Sequence, residues 1–182
     1  MILDFLKKWS GALVTTRKEL FVGAIGASIG LLCTEAICRW TLGVSQPWFV
    51  IPMGASAVLL FAVPASPLAQ PWSIIGGNTV SALSGIISYK LFGDSGIAIA
   101  LAGGLAVSSM FFFRCVHPPG GAIALTAVLG SSSIHALGFE FAFMPVMFDS
   151  AILLLIAIIF NRLAGRTYPH HPQPAKNTHI TS

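Results

Sequence analysis

The sequence predicts an all-α integral membrane protein made of two inverted three-helix repeats, each containing a short helix broken at proline and glycine. Three observations lead there. Of the 182 residues, 55% are hydrophobic and only 9% charged, and mean hydropathy is +0.83, whereas an average soluble domain carries about 25% charged residues. Several apolar runs are long enough to cross a bilayer. They recur, with shorter runs between them, in the same order twice.

Residues 1–19 (MILDFLKKWSGALVTTRKE) are amphipathic and interrupted by lysines. They lack the apolar core of a cleavable signal peptide and read as a cytoplasmic segment lying along the membrane surface. A helix needs about 20 apolar residues to span the hydrocarbon. Runs 20–40, 71–92 and 143–163 meet that length, and 96–113 just does. Runs 49–63 and 116–129 are shorter, and proline and glycine introduce each. They read as half-length helices. The membrane domain is therefore 20–168, with repeats at 20–92 and 96–163, followed by a polar, proline-rich tail at 169–182 that reads as disordered and cytoplasmic.

The repeat appears on sliding the chain by 66 residues, which lays VIPMGASAVLLFAV on VHPPGGAIALTAVL and matches Val50 with Val116, Pro52 with Pro118, Gly54 with Gly120 and Leu59 with Leu125. Lysine and arginine cluster before the first run and after the last, which puts both ends on the cytoplasmic side and makes the number of crossings even. Six crossings satisfy this, and so do four spanning helices plus two re-entrant segments. Halves of three crossings each would run in opposite directions, the plan of many secondary transporters.

Irregular backbone inside a membrane is tolerated only where protein or a water-filled cavity satisfies its polar groups. Proline suits a first helical turn because its missing N–H would have had no partner there, and glycine lets a ligand approach the backbone. Two such helix starts, each with roughly half a positive charge, suit one monovalent anion. The expected substrate-binding residues are Gly54, Ala55, Ser56 and Ala57 at one start and His117, Pro119, Gly120, Gly121 and Ala122 at the other, with Ser56 adding a hydroxyl donor.

HPPGGA at 117–122, together with GASAVLLFAVPASPLAQPWSIIGGNTVSAL at 54–83, closely resembles the HPP family of integral membrane proteins. That resemblance implies a transporter and, because plastid and cyanobacterial members are linked to nitrite transport, makes nitrite the leading substrate candidate. Family motifs map onto His117, Pro118, Pro119 and Gly120, onto Gly54 and Ser56, onto PASPLAQP at 64–71, and onto Gly76, Gly77 and Asn78. Relatives often carry histidine where this chain has Asn78, so a hydrogen-bond donor is kept there and a titratable group is lost. Asn78 joins the expected binding residues on this ground.

Other polar residues have simpler roles available. His117 can carry a proton with the anion, or stay neutral and brace the Pro-Pro turn, and the second reading is preferred. Glu35 and Arg39 are spaced to pair on one helix face. Asp149 and Asn161 are interior candidates, with an interfacial position open for Asp149. Gly23, Gly26 and Gly30 form a stripe suited to helix packing. Cys33, Cys38 and Cys115 have neither disulfide nor metal spacing and read as small apolar residues. No metal, cofactor or nucleic acid is expected. The partners are a small inorganic anion, the lipid bilayer and, since so small a bundle encloses little around a cavity, further copies of the chain in a homodimer or larger oligomer. The expected location is the bacterial inner membrane. An uncoupled anion channel would use the same site. An intramembrane serine hydrolase with a Ser56–His117 dyad is the enzymatic alternative, and it is disfavoured because Ala57 replaces the second glycine flanking the serine.

Overall fold

A computed structural model describes residues 16–42 and 47–170. The expected surface segment, up to residue 15, and the tail from residue 171 lie outside the described residues. Among the described residues the fold is all-helical: α1 (Arg17–Leu42), α2 (Pro47–Ala62), a 3-10 turn (Pro67–Ala69), α3 (Pro71–Phe92), α4 (Gly96–Phe112), α5 (Pro119–Leu129), α6 (Ser132–Leu137), a π-helical turn (Ala142–Met147) and α7 (Phe148–Leu163).

Local chemistry sets the ends of these helices. Thr16 and Glu19 form a capping box, with Glu19 N–H donating to Thr16 Oγ1 at 3.2 Å and Thr16 N–H donating to Glu19 Oε2 at 2.8 Å. α1 thus starts at Arg17, earlier than hydropathy alone suggested. α3 starts on Pro71 and α5 on Pro119, the helix position that needs no N–H. α4 and α7 end in the same motif. Cys115 N–H donates to Met110 O at 2.9 Å and Arg114 N–H to Phe111 O at 3.1 Å, while Arg166 N–H donates to Asn161 O at 2.9 Å and Gly165 N–H to Arg162 O at 3.0 Å. The left-handed residue is Gly165 (φ 74°) in one and Arg114 (φ 53°) in the other.

The six longer helices alternate in direction. At one end of the bundle Arg166 donates to the carbonyls of Phe61 and Glu19, Tyr168 Oη donates to Ala69 O, and His170 N–H donates to Gln70 Oε1. At the other, Lys90 lies over the Phe139 ring and Tyr89 stacks on His135 with ring centroids 3.6 Å apart. α3 is the hub, packing on α4, α5, α7 and both short turns.

Glycine permits the closest contacts. On α1, a Cβ at Gly26 or Gly30 would come 2.6 Å from the Phe61 ring, so the stripe serves helix packing as expected. Between α3 and α5, Gly77 faces His117, Ser81 faces Gly120, and Gly85 faces Ala124. Residue numbers rise together along this seam, so α3 and α5 run parallel. α5 begins about two turns up from the start of α3, roughly 11 Å along the bundle.

The molecule is oily outside and partly polar within. Leu20, Phe21, Trp40, Phe112 and Leu163 are exposed, whereas Ser56, Asn78, Ser81, His117, Asp149, Ser150 and Asn161 are buried. A chain solvated by lipid leaves its apolar side chains outside and gathers its polar ones inside. Arg17–Thr41 of α1 and the run Ala142–Leu163 are long and apolar enough to cross a membrane.

One expected break is absent. Pro52 lies inside α2, which already begins at Pro47. Gly54, Ala55, Ser56 and Ala57 therefore fall in the helix interior, where the backbone N–H groups belong to the helix's own ladder. A proline lacks an N–H but need not end a helix when it sits near the first turns. Only the second Pro-Gly pair marks a helix start.

Candidate substrate site

The site is built around the 64–71 loop and the break at His117. Ser66 caps the 3-10 turn by accepting from Leu68 N–H at 3.2 Å, and Gln70 Nε2 donates to the carbonyls of Pro64 and Ser66. The folded loop holds the Leu68 carbonyl 2.8 Å from His117 Nδ1. A carbonyl only accepts, so Nδ1 carries the proton. Nε2 then accepts from the Ser56 hydroxyl at 2.9 Å. Both ring nitrogens of this fully buried histidine are engaged, which is the arrangement of a neutral brace joining α2, the 64–71 loop and the start of α5.

Below the brace, Gly120 meets α3. A Cβ there would stand 2.5 Å from Ser81 Oγ and 3.0 Å from Gly77 O, so only glycine fits. A Cβ at Gly77 would lie 2.5 Å from Cys115 O and 2.7 Å from His117 Cβ. Ser81 Oγ and Asn78 Oδ1 are buried and have no hydrogen-bond partner among the described residues. The Asn78 amide donates to Ser150 Oγ on α7 at 2.9 Å. Because a serine hydroxyl can accept or donate, rotating that amide by half a turn would keep the contact and turn an N–H group towards the orphaned position.

The expected residues separate on this geometry. Ser56, Asn78, His117, Pro119 and Gly120 are buried in the interior, Ala57 is buried in the apolar core, and Ala55 and Ala122 face outward. Gly54 and Gly121 border open space. The Gly120 and Gly121 N–H groups, expected to be free, donate to His117 O at 2.9 Å and Pro118 O at 3.0 Å. Backbone donors do not dominate the site, because a tight first turn consumes them. Side chains on α3 remain.

Sequence reading missed Ser81, Ser150 and the Leu68 carbonyl. A signal for Ser81 was present, since Gly77, Asn78, Ser81, Ser84, Gly85 and Ser88 recur at helical spacing and are all buried. Five further residues have clear roles. Glu35 and Arg39 form the expected ion pair. Asn161 is interior as expected, and its amide donates to the carbonyls of Leu60 and Ala157. Asp149 is buried within the bundle, at 2% exposure. Cys38 departs from its apolar reading, because its thiol donates to Asp149 Oδ1 at 2.6 Å.

A cavity of about 780 Å³ opens beside the brace, lined by Leu68, Gln70, Trp72, Arg114, Val116 and His170 among others. Arg114 reaches it through its left-handed backbone, a conformation that costs a non-glycine residue about 1 kcal/mol.

A buried polar seam inside a lipid-facing helical bundle defines an integral membrane protein. The family model for the HPP transmembrane region matches residues 13–169, and the chain belongs to that family. Two transmembrane proteins of Dictyostelium discoideum are similar to it. One is 36% identical over 177 residues, covering 92% of this chain and 57% of the relative. The other is 35% identical over 180 residues, covering 92% of this chain and 63% of the relative. The chain thus spans about three fifths of the length of these relatives. No solved structure matches it.

Proposed function

We propose that the protein is a membrane transporter of a small monovalent anion, with nitrite the leading candidate. The observation that supports this reading is the unpartnered Ser81 hydroxyl beside Gly120 and Asn78. An orphaned buried polar group costs about 1–3 kcal/mol, so it calls for a partner. A hydroxyl donor, an amide able to turn its N–H groups, and the positive end of the α5 dipole make that partner an anion. The site thus rests on one helix start and α3 side chains, rather than on two facing helix starts.

Positive charge orients the bundle. Arg17, Lys18, Arg114, Arg162 and Arg166 are near the cavity end and Arg39 and Lys90 near the other, so the cavity end is cytoplasmic and the six alternating helices are six crossings. In this reading the helices divide into the inverted repeats α1–α3 and α4–α7, in a bacterial inner membrane, working as a homodimer or larger oligomer. Rocking of one repeat against the other would open the site to alternate sides. Arg114 draws anions into the cytoplasmic cavity.

Purified protein in liposomes tests this by counterflow of labelled nitrite against nitrate, formate, chloride and sulfate. Exchange of nitrite and similar monovalent anions, weakened in Ser81→Ala, is expected. Absence of exchange for every anion would end the reading.

A second reading has its own observation. Ser56 Oγ and His117 Nε2 stand 2.9 Å apart, the nucleophile–base spacing of a hydrolytic dyad, with the Leu68 carbonyl orienting the imidazole. Both side chains are fully buried, and a hydrolase needs room for the scissile group beside both. An activity-based fluorophosphonate probe decides it: labelling of Ser56 would favour the hydrolase, and no labelling is expected.

A further inference from the structure

Asp149 is the one acidic side chain among the described residues that is buried. It lies at the start of α7, directly after the π-helical turn that contains Pro145, an interruption of the kind often found at functional sites. It accepts a hydrogen bond from the Cys38 thiol of α1 at 2.6 Å, four residues before the end of α1. The next residue, Ser150, touches Asn78 of the proposed anion site. The carboxyl thus sits between the outer end of the bundle and the anion site, outside the latter.

An acid in the interior of a membrane protein is expensive and calls for a function. The other acid nearby, Glu35, is already paired with Arg39 on the exposed side of α1. His117, the alternative proton carrier, has both ring nitrogens committed. Cys38 and Glu35 on α1 are the titratable groups on the Asp149 side, and α3 offers the neutral Asn78 and Ser81. α2 and the π-helical turn contain no charged residue.

We propose that Asp149 carries the coupling proton, so that the transporter moves one proton with each monovalent anion; this rests on the anion-transport reading above. In the outward-open state a carboxylate oxygen of Asp149 bonds a proton taken from water. In the inward-open state that O–H bond breaks and the proton passes to water of the cytoplasmic cavity. One negative and one positive charge cross together, so the cycle is electroneutral. The neutral acid crosses inward with the bound anion and the carboxylate returns with the empty site, so each half of the cycle moves the same single negative charge in opposite directions.

Two measurements test it. In liposomes, wild-type protein should accumulate nitrite when the outer face is made acidic, without generating a membrane potential. Asp149→Asn should retain nitrite counterflow and lose at least tenfold of the acid-driven accumulation. Accumulation by Asp149→Asn equal to wild type would overturn the coupling role while leaving anion transport standing. Absence of counterflow in the wild type would instead remove the anion-transport reading. Should Asp149→Asn not fold, the Asp4→Asn/Asp94→Asn variant with carbon-13 aspartate leaves Asp149 as the sole labelled carboxyl. Its infrared carbonyl band should appear and vanish with pH. A band unchanged across the pH range that drives transport would refute the proposal.

Discussion

The two Pro-Gly stretches, Pro52–Gly54 and Pro118–Gly120, match at an offset of 66 residues, yet the chain uses them differently. Pro52 lies within α2, and a Cβ at Gly54 would meet nothing within 4 Å. Pro118 caps α5, and Gly120 is pressed against Ser81 and the Gly77 carbonyl. The difference lies in what precedes each motif. PWFVI continues into α2 as helix from Pro47, while the left-handed Arg114 stops α4 and leaves residues 115–118 as a connector. A motif marks a helix start only when the chain before it has already ended one.

Substitutions at the two stretches should separate them sharply. Gly120→Val inserts a branched side chain where a single Cβ already has no room, and should destabilise by about 3 kcal/mol, read as a lowered melting midpoint in detergent. His117→Ala strands the Leu68 carbonyl and the Ser56 hydroxyl, and a loss of roughly 2 kcal/mol is expected in the same assay. Ser81→Ala sharpens the functional half of the comparison. It should weaken nitrite binding about fivefold, equivalent to about 1 kcal/mol, while leaving the melting midpoint unchanged or raised because an orphaned hydroxyl is gone. A fall in stability with no change in binding would make Ser81 purely structural.

Arg114→Gly removes the left-handed penalty, as Gly165 already does at the end of α7. A gain of roughly 1 kcal/mol in stability is expected, together with slower anion uptake at low salt that converges on wild type as salt screens the charge. The smallest effect belongs to Gly54→Ala, which has space for its methyl and favours helix by about 0.5 kcal/mol. A melting midpoint lowered as far as in Gly120→Val would mean that the two motifs are equivalent after all.

The helical membrane class, the half-length α5 and the Gly26–Gly30 packing stripe were legible from composition, run length and spacing. Glu35–Arg39 was legible because helix geometry brings residues four apart together. The site was legible only in part. His117 and Ser56 were paired only in the disfavoured hydrolase alternative and otherwise set at two separate helix starts, and their contact spans 61 residues of sequence. Ser81 lay unremarked because serine is common in membrane helices: its helical spacing with Gly77, Asn78 and Gly85 marks a face of α3 but not which serine on that face meets a glycine. Cys38 looked like any small apolar residue until α7 brought Asp149 to its thiol across 111 residues.

The sequence by itself determined what the solvent demands: long apolar runs, a polar minority kept from lipid, and a glycine-proline break that only a protein interior can shelter. Those are one-dimensional properties, set by hydrogen-bond supply and run length. The tertiary structure alone decided which polar groups found partners. It consumed the backbone N–H groups of Gly120 and Gly121, committed both nitrogens of His117, and left Ser81 Oγ and Asn78 Oδ1 unpaired. Partnership depends on distances between helices far apart in the chain, and no local pattern encodes them.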